Sequence, residues 1–538
     1  MNLRGWREHP VSALCIATAS VVALWNAIAS FAVDHGWLSA GDPALDELLV
    51  RDVWSRHFPL VGSYSRFGWN HPGGWFMYLA SVPYKLSGDG AWAMKLTAAL
   101  VAGAALAWCM RAGWHLGQRG APGPHCGAAI AASSWLLFAW GVHGVTLRFA
   151  WSVDIAQMLF LAFLWWCALA FAGERGAATQ VALLGTLLVH LYLGYLPLVG
   201  MIAVLLVVGV IIRRRRSPAD AKPANVLSGS SQRWSLVFIV AMWIPLVIDQ
   251  CFGRHNLSEV AEYMRTDTGA PLTPMSKSLQ LLSRQLDGLG PLIGAINRPG
   301  WSVPWIVVLG SVLWVLIRGD VLGSLLRVAA AALCGAFVAI LLARGDVPDY
   351  RLLWLPVIGV FWTGLCMWGI AAAIERHQAR IARNPLFLPA IASLILVVGG
   401  DAAVRLGRTD TGQFAARPSD LSRVLARVET EVPDAHMTLG RSRSGGAHDL
   451  LASLRVAGEK TGQRWCDPLN EPWLAGEHRL CGKDRPEMGV YVIGPTDPRP
   501  RAPSAVEILH SPKGRVYLMT TTELVKIAVL TGGDHGID

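Results

Sequence analysis

The sequence predicts an all-α polytopic membrane protein of about eleven transmembrane helices, followed by a C-terminal α+β domain outside the cytoplasm. Three observations predict it. The 538 residues are 53% hydrophobic and only 16% charged, against about 25% charged in soluble domains, so the bilayer is the chain's main solvent. Apolar runs near the length that crosses about 30 Å of hydrocarbon recur through the first three quarters of the chain. From residue 404 onward, short helix-like stretches (419–431, 449–457) alternate with strand-like ones (489–494, 506–510, 515–521), the pattern of a small soluble domain with its own core. The expected division is a membrane domain over 1–403 and an extracytoplasmic domain over 404–538.

The spans read as 12–33, 93–112, 126–145, 154–172, 178–192, 195–212, 234–251, 301–318, 322–343, 351–373 and 385–403, with no cleavable signal pattern before the first. A net charge of +10 invites a nucleic-acid reading. Much of that charge, however, sits in short clusters at the ends of apolar runs, notably 213–216 and 376–383. That is the positive-inside signature of a membrane protein, so no nucleic-acid partner is expected. With Arg4 and Arg7 inside, one threading places Arg111, Arg119, Arg318 and both clusters in the cytoplasm. It requires that 73–87 not span. That stretch is short and broken by Pro83, and it reads as a helix lying in the outer interface.

Four segments then face outward: a first loop over 34–92, a turn at 148–154, a loop over 252–300, and the tail. The stretch 213–233 reads as a cytoplasmic linker. No internal repeat is apparent, which weighs against a transporter built from inverted repeats. Of nine cysteines, Cys15, Cys109, Cys126, Cys167, Cys251, Cys334 and Cys366 lie in or beside apolar runs, where a thiol packs as a small hydrophobe. Cys466 and Cys481 lie in the polar tail and would suit a disulfide in an oxidising compartment.

Chemistry concentrates in the first loop. It opens with Gly41-Asp42-Pro43-Ala44-Leu45-Asp46-Glu47, continues to Arg51-Asp52, and reaches Tyr64-Ser65-Arg66-Phe67-Gly68-Trp69-Asn70-His71-Pro72-Gly73. A connecting loop rarely needs so many carboxylates, arginines, aromatics and turn residues together. The plainest expectation for Asp46, Glu47 and Asp52 is the solvated face of an amphipathic helix. Asp42 differs, because a carboxylate at the mouth of a span is expensive to keep. One carboxylate against a hydroxyl proton is the minimum for general-base catalysis, and Asp42, Asp46 and Glu47 all remain open for that role.

Taken together, Asp42, a carboxylate-bearing helix ending near Arg51, a Gly-aromatic turn, His71-Pro72 and a short helix ending Leu86-Ser87-Gly88 resemble the first periplasmic loop of the GT-C glycosyltransferases. The nearest types are the lipid A aminoarabinose transferases and protein O-mannosyltransferases. The resemblance implies a membrane enzyme that takes a sugar from a polyprenyl-phosphate donor and gives it to a glycan, lipid or protein acceptor of the cell envelope. It carries the catalytic-base role onto Asp42, with Glu47 as the second catalytic candidate. Where those families often have Lys-Pro contacting the donor phosphate, this chain has His71-Pro72; Arg66 and Asn70 of the same turn join His71 as candidate substrate contacts.

A second point of similarity is Arg148-Phe149-Ala150-Trp151-Ser152-Val153-Asp154. Asp154 matches an acidic residue beside the active site, or else simply N-caps the next span. Arg148 offers phosphate a bidentate fork, or marks the interface. Asp42 with Asp154 would give a divalent cation hard oxygen ligands, although the aminoarabinose type does not obviously require one. The outer domain is expected to bind the acceptor.

His190 reads as a hydrogen-bonded packing residue, and Arg344, Asp346, Asp349 and Arg351 complete a phosphate site or pair in water. Asn256-Leu257-Ser258 fits a sequon too short to carry weight. Paired His-Cys ligands, a phosphate-cradling glycine loop and a Gly-x-Ser-x-Gly elbow are all missing from the sequence, so ATP-driven work and serine hydrolysis lack support. The rival classes are a transporter or flippase, which predicts ionisable groups in mid-membrane, and a non-catalytic envelope assembly protein, which predicts that Asp42 and His71 are dispensable.

Overall fold

The computed structural model describes residues 9–65, 67–141, 147–174, 176–216, 230–265, 272–286, 321–343, 347, 349–376, 387–406, 418–432, 436–441, 445–467, 477–481, 486–511 and 514–532. The expected span at 301–318 and most of the 213–233 linker and the 376–383 cluster lie outside these residues, as do Arg66, Arg344 and Asp346.

The helices in chain order are α1 (Pro10–Ala32), α2 (Asp42–Asp52), α3 (Trp75–Leu86), α4 (Trp92–Gly117), α5 (Pro124–Gly141), α6 (Ser152–Phe171), α7 (Ala177–Leu191), α8 (Leu196–Arg216), α9 (Ser230–Phe252), α10 (Asn256–Arg265), α11 (Met275–Leu286), α12 (Val321–Leu341), α13 (Leu355–Arg376), α14 (Phe387–Leu406), α15 (Pro418–Glu431), α16 (Gly445–Lys460) and α17 (Thr521–Gly532). Among the described residues six of them, α1, α4, α6, α9, α12 and α13, are long and apolar enough to cross a membrane. The chain divides into two compact units, one of Met1–Ala29, Ala98–Ile244 and Gly269–Arg408, the other of Ser30–Thr97, Pro245–Thr268 and Thr409–Asp538.

In the first unit, α6 is apolar all round after its first two turns and every one of its residues is buried, which makes it the central helix of the bundle. Helices α1 and α9 instead leave Val21, Leu24, Ile28, Val237, Phe238 and Val240 exposed. Such faces suit lipid tails. Polar side chains close the gaps between spans. The Trp135 indole donates to the Ala102 carbonyl at 3.1 Å, Trp140 to the Asp401 carboxylate at 2.7 Å, and Trp25 to the Ala403 carbonyl at 2.9 Å.

The second unit gathers the first loop, the α9–α10 junction and the tail. Helix α3 has 12 residues and so reaches about 18 Å, short of the hydrocarbon thickness. The tail sheet runs β1 (His436–Arg441), β2 (Arg464–Cys466), β3 (Met488–Ile493), β4 (Val506–Ser511) and β5 (Gly514–Thr520), in spatial order β2-β1-β3-β5-β4. β1 is parallel to β2 and β3, while β5 is antiparallel to β3 and β4. Strand alternation fills both faces: Val490 and Val492 pack with residues of α15 and α16, and Tyr491 and Ile493 with Leu524 of α17. Cys466 and Cys481 are disulfide-bonded.

Candidate functional site

Gly41 sets the entry to α2. Its φ of 59° and ψ of −140° belong to a region open almost only to glycine, and its N–H reaches the Asp449 carbonyl of α16 at 3.3 Å. Pro43 follows in the first turn, where its missing N–H costs nothing. Asp42 therefore stands at the N-terminus of α2, where the helix dipole attracts an anion.

The Asp42 carboxylate is partly exposed and held on one side only. Its Oδ1 accepts the Tyr64 hydroxyl at 2.8 Å and lies 3.2 Å from His448 Nε2, and the Tyr64 oxygen lies 3.1 Å from the same nitrogen. Tyr64 comes from a small hairpin in which Gly62 N–H bonds the His71 carbonyl, His71 N–H the Ser63 carbonyl, and Ser65 N–H the Trp69 carbonyl. A Cβ on Gly62 would meet the Gly73 carbonyl oxygen at 2.5 Å, so the close pairing of the hairpin requires glycine there.

Burial overturns the expectation of a solvated carboxylate face on α2. Asp46, Glu47 and Asp52 are 1%, 0% and 6% exposed, because α16 packs Ala452 and Val456 onto Ala44, Leu45 and Leu48. Glu47 is saturated by the Ser39 hydroxyl, the Tyr84 hydroxyl at 2.6 Å and the Lys460 ammonium at 2.5 Å. Asp52 takes a two-pronged grip from Arg479 at 2.6 and 3.0 Å, and Arg479 also holds Glu459 at 2.9 Å. Burial is the largest single influence on the Asp52 carboxyl and raises it, but His478 and Arg479 together hold it below its usual range. Asp46 has no such cation beside it among the described residues. Burial, with Asp42's charge acting in the same sense and Ser63 opposing, pushes it up to about 8.

His71 is buried against Trp69, and burial lowers its basicity to about 4 despite the pull of Asp42. It would meet a phosphate as a neutral donor. Asn70 is locked between the Gly62 carbonyl at 3.2 Å, Asn256 and Arg254 Nη1 at 3.2 Å. Asn256, noted in the sequence only as a sequon, caps the turn: its Oδ1 accepts the Asn70 N–H at 2.7 Å. Arg148 and Asp154 belong to the first unit. Arg148 is fully buried beside Leu147, whose carbonyl accepts Asn26 of α1 at 3.1 Å. Asp154 is not the cap of α6, a place held by Trp151; it lies in the first turn and accepts Gln157 at 2.8 Å.

No local pattern marks His448, Lys460 or Arg479, nor the buried ion pair of Lys95 with Asp34 at 3.3 Å under the Trp37 ring. His190 packs edge-on against Trp243, but neither ring nitrogen has a hydrogen-bond partner among the described residues, contrary to the hydrogen-bonded role expected. No three His, Cys, Asp or Glu side chains converge to hold a metal among the described residues.

No protein-family model and no curated protein sequence matches the chain. Solved structures do. ArnT from Cupriavidus metallidurans bound to undecaprenyl phosphate superposes with a TM-score of 0.56 at 16% identity, over 97% of this chain and 99% of that one. The apo state of the same protein gives 0.54 at 15%, with the same coverage. The chain has the GT-C fold. Asp42, Glu47, Asn70 and His71 belong to the second unit, and Arg148 and Asp154 to the first.

Proposed function

We propose that the protein is an integral membrane glycosyltransferase that moves a sugar from a polyprenyl-phosphate donor to an envelope acceptor, with Asp42 as general base. The observation that carries the reading is the Asp42 carboxylate: Oδ1 is tied to Tyr64 and His448, while Oδ2 has no partner among the described residues. A carboxylate held this way is oriented and still able to accept a proton. The ArnT structure, which holds undecaprenyl phosphate, supports a lipid phosphate as the leaving group.

In the proposed step the acceptor oxygen attacks the anomeric carbon as the carbon–oxygen bond to phosphate breaks. The electron pair of that bond leaves with the polyprenyl phosphate, and the acceptor proton passes to Asp42 Oδ2. One in-line displacement inverts the anomeric centre. Glu47 has no open oxygen in this arrangement; its three donors favour a structural role that ties α2 to Tyr84 of α3 and Lys460 of α16. Arg148, a neutral His71 and Asn70 are the proposed contacts to the donor head group. The tail is the proposed acceptor-binding domain.

The test is transfer of radiolabelled sugar from a panel of undecaprenyl-phosphate sugars to lipid A and to envelope extracts by purified protein. The reading expects transfer by the wild type and its loss by about 100-fold or more in folded Asp42→Asn. Full activity in Asp42→Asn removes Asp42 as base, and no transfer from any donor removes the transferase reading.

A further inference from the structure

We propose that His448, on the tail helix α16, is a positioning residue for the Asp42 base, so that the tail completes the catalytic carboxylate as well as meeting the acceptor. The inference rests on the reading of Asp42 as base and deepens it. It starts from a proton count. Tyr64 has one hydroxyl hydrogen, and its oxygen lies 2.8 Å from Asp42 Oδ1, so that hydrogen lies between them. An ionised carboxylate only accepts. His448 Nε2, 3.1 Å from the Tyr64 oxygen and 3.2 Å from Oδ1, must therefore carry a hydrogen, shared between those two acceptors. The geometry selects the Nε2–H form of the ring and puts two donors on a single carboxylate oxygen.

Two donors on Oδ1 make the two oxygens of Asp42 unequal. Without them a carboxylate at the start of a helix turns about its last torsion and presents either oxygen. With them, Oδ2 alone stays available. The clamp is rigid for reasons outside itself: α16 reaches α2 through the Gly41–Asp449 backbone bond and the packing of Ala452 and Val456 on Ala44, Leu45 and Leu48. His448 has 14% of its side chain exposed and Asp42 29%, so the base remains accessible from one side while its orienting partners are largely covered.

The experiment compares His448→Ala, His448→Gln and Tyr64→Phe with the wild type in steady-state transfer from the undecaprenyl-phosphate sugar that the wild type uses. Folding of each is verified by monodispersity in detergent. Glutamine keeps an N–H at the reach of Nε2. For His448→Ala the expected result is a fall in kcat of about 10- to 100-fold with the donor KM within about twofold, and recovery of most of that loss in His448→Gln. The double variant with Tyr64→Phe loses less than the product of the single losses, because both act through one oxygen. Wild-type kcat in His448→Ala, a loss confined to KM, or a glutamine variant as impaired as alanine overturns the inference while the transferase reading stands. A wild type that transfers nothing, or an Asp42→Asn variant that transfers normally, overturns the reading first and the inference with it.

Discussion

The grip of Arg479 on Asp52 makes a quantitative demand on stability. Both side chains are less than a tenth exposed, and the two bonds of 2.6 and 3.0 Å have the bidentate geometry in which arginine binds carboxylate best. Arg479→Met removes the cation and leaves Asp52, among the described residues, with His478 3.5 Å away; Glu459 retains Arg51 at 4.0 Å. Breaking a buried pair from one side costs about 3–5 kcal/mol, and since Glu459 is partly exposed and His478 remains nearby, the lower end, about 3 kcal/mol, is expected. Asp52→Leu with Arg479→Met removes both desolvated charges together. Its cost should fall below the sum of the single losses by about 1–3 kcal/mol. The assay is equilibrium unfolding of the four proteins in mixed detergent micelles with increasing SDS, read by tryptophan fluorescence. Additive losses, or a loss under about 1 kcal/mol for Arg479→Met, would show that the pair behaves as a surface ion pair and would refute the assignment of α2 as a helix clamped by the tail.

Three further outcomes follow from the same unit. Asp46 is raised to about 8 by burial, so the stability linked to it is complete below its unfolded value of about 4 and drains away as pH rises through 8. His71, lowered to about 4, contributes stability above its unfolded value near 6.5 that disappears as pH falls toward 4. The window from pH 6.5 to 8.5 therefore isolates Asp46, and Asp46→Asn should flatten the decline seen there in SDS unfolding; an unchanged slope refutes the assignment. Gly41→Ala places a Cβ on a backbone of φ 59° and should cost about 1–3 kcal/mol together with much of the transfer activity, measured side by side; an alanine variant equal to the wild type in both would mean that Asp42 does not depend on this turn. Replacing Cys466 and Cys481 by serine opens a bridge of sequence separation 15 that flanks Arg479, and should lower stability by about 3 kcal/mol, with the wild type falling to the same level under reductant; equal stability with and without reductant refutes it.

What could be read in advance follows from how far apart the cooperating residues lie. Spans, the short helix before Gly88 and the larger tail elements are written in local apolar periodicity, which survives without knowledge of neighbours. β1 and β2 are not. His436–Arg441 is poor in β-branched residues and Arg464–Cys466 has three residues, so only pairing, of β1 with β3 and of β2 with β1, makes them strands. Asp42 is legible because Gly41-Asp42-Pro43 is itself a helix-start signal. The fate of Asp46, Glu47 and Asp52 is not, because whether a carboxylate face meets water or a second helix depends on α16, some four hundred residues downstream.

That same distance bears on what α16 does. Its side chains His448, Arg455, Glu459 and Lys460 face charged partners at Asp42, Asp467, Arg479 and Glu47 in turn; the first three, at intervals of seven and four residues, share one side of the helix, and Lys460 stands beside it. A helix that served only to close the tail's own core would need its apolar side alone, which Leu450, Leu451 and Leu454 already supply. Two of the four polar partners, Asp42 and Glu47, belong to the first loop. Mutations along it should therefore change transfer and stability together, whereas mutations of the sheet's far face, at Tyr491 or Met519, should change stability alone.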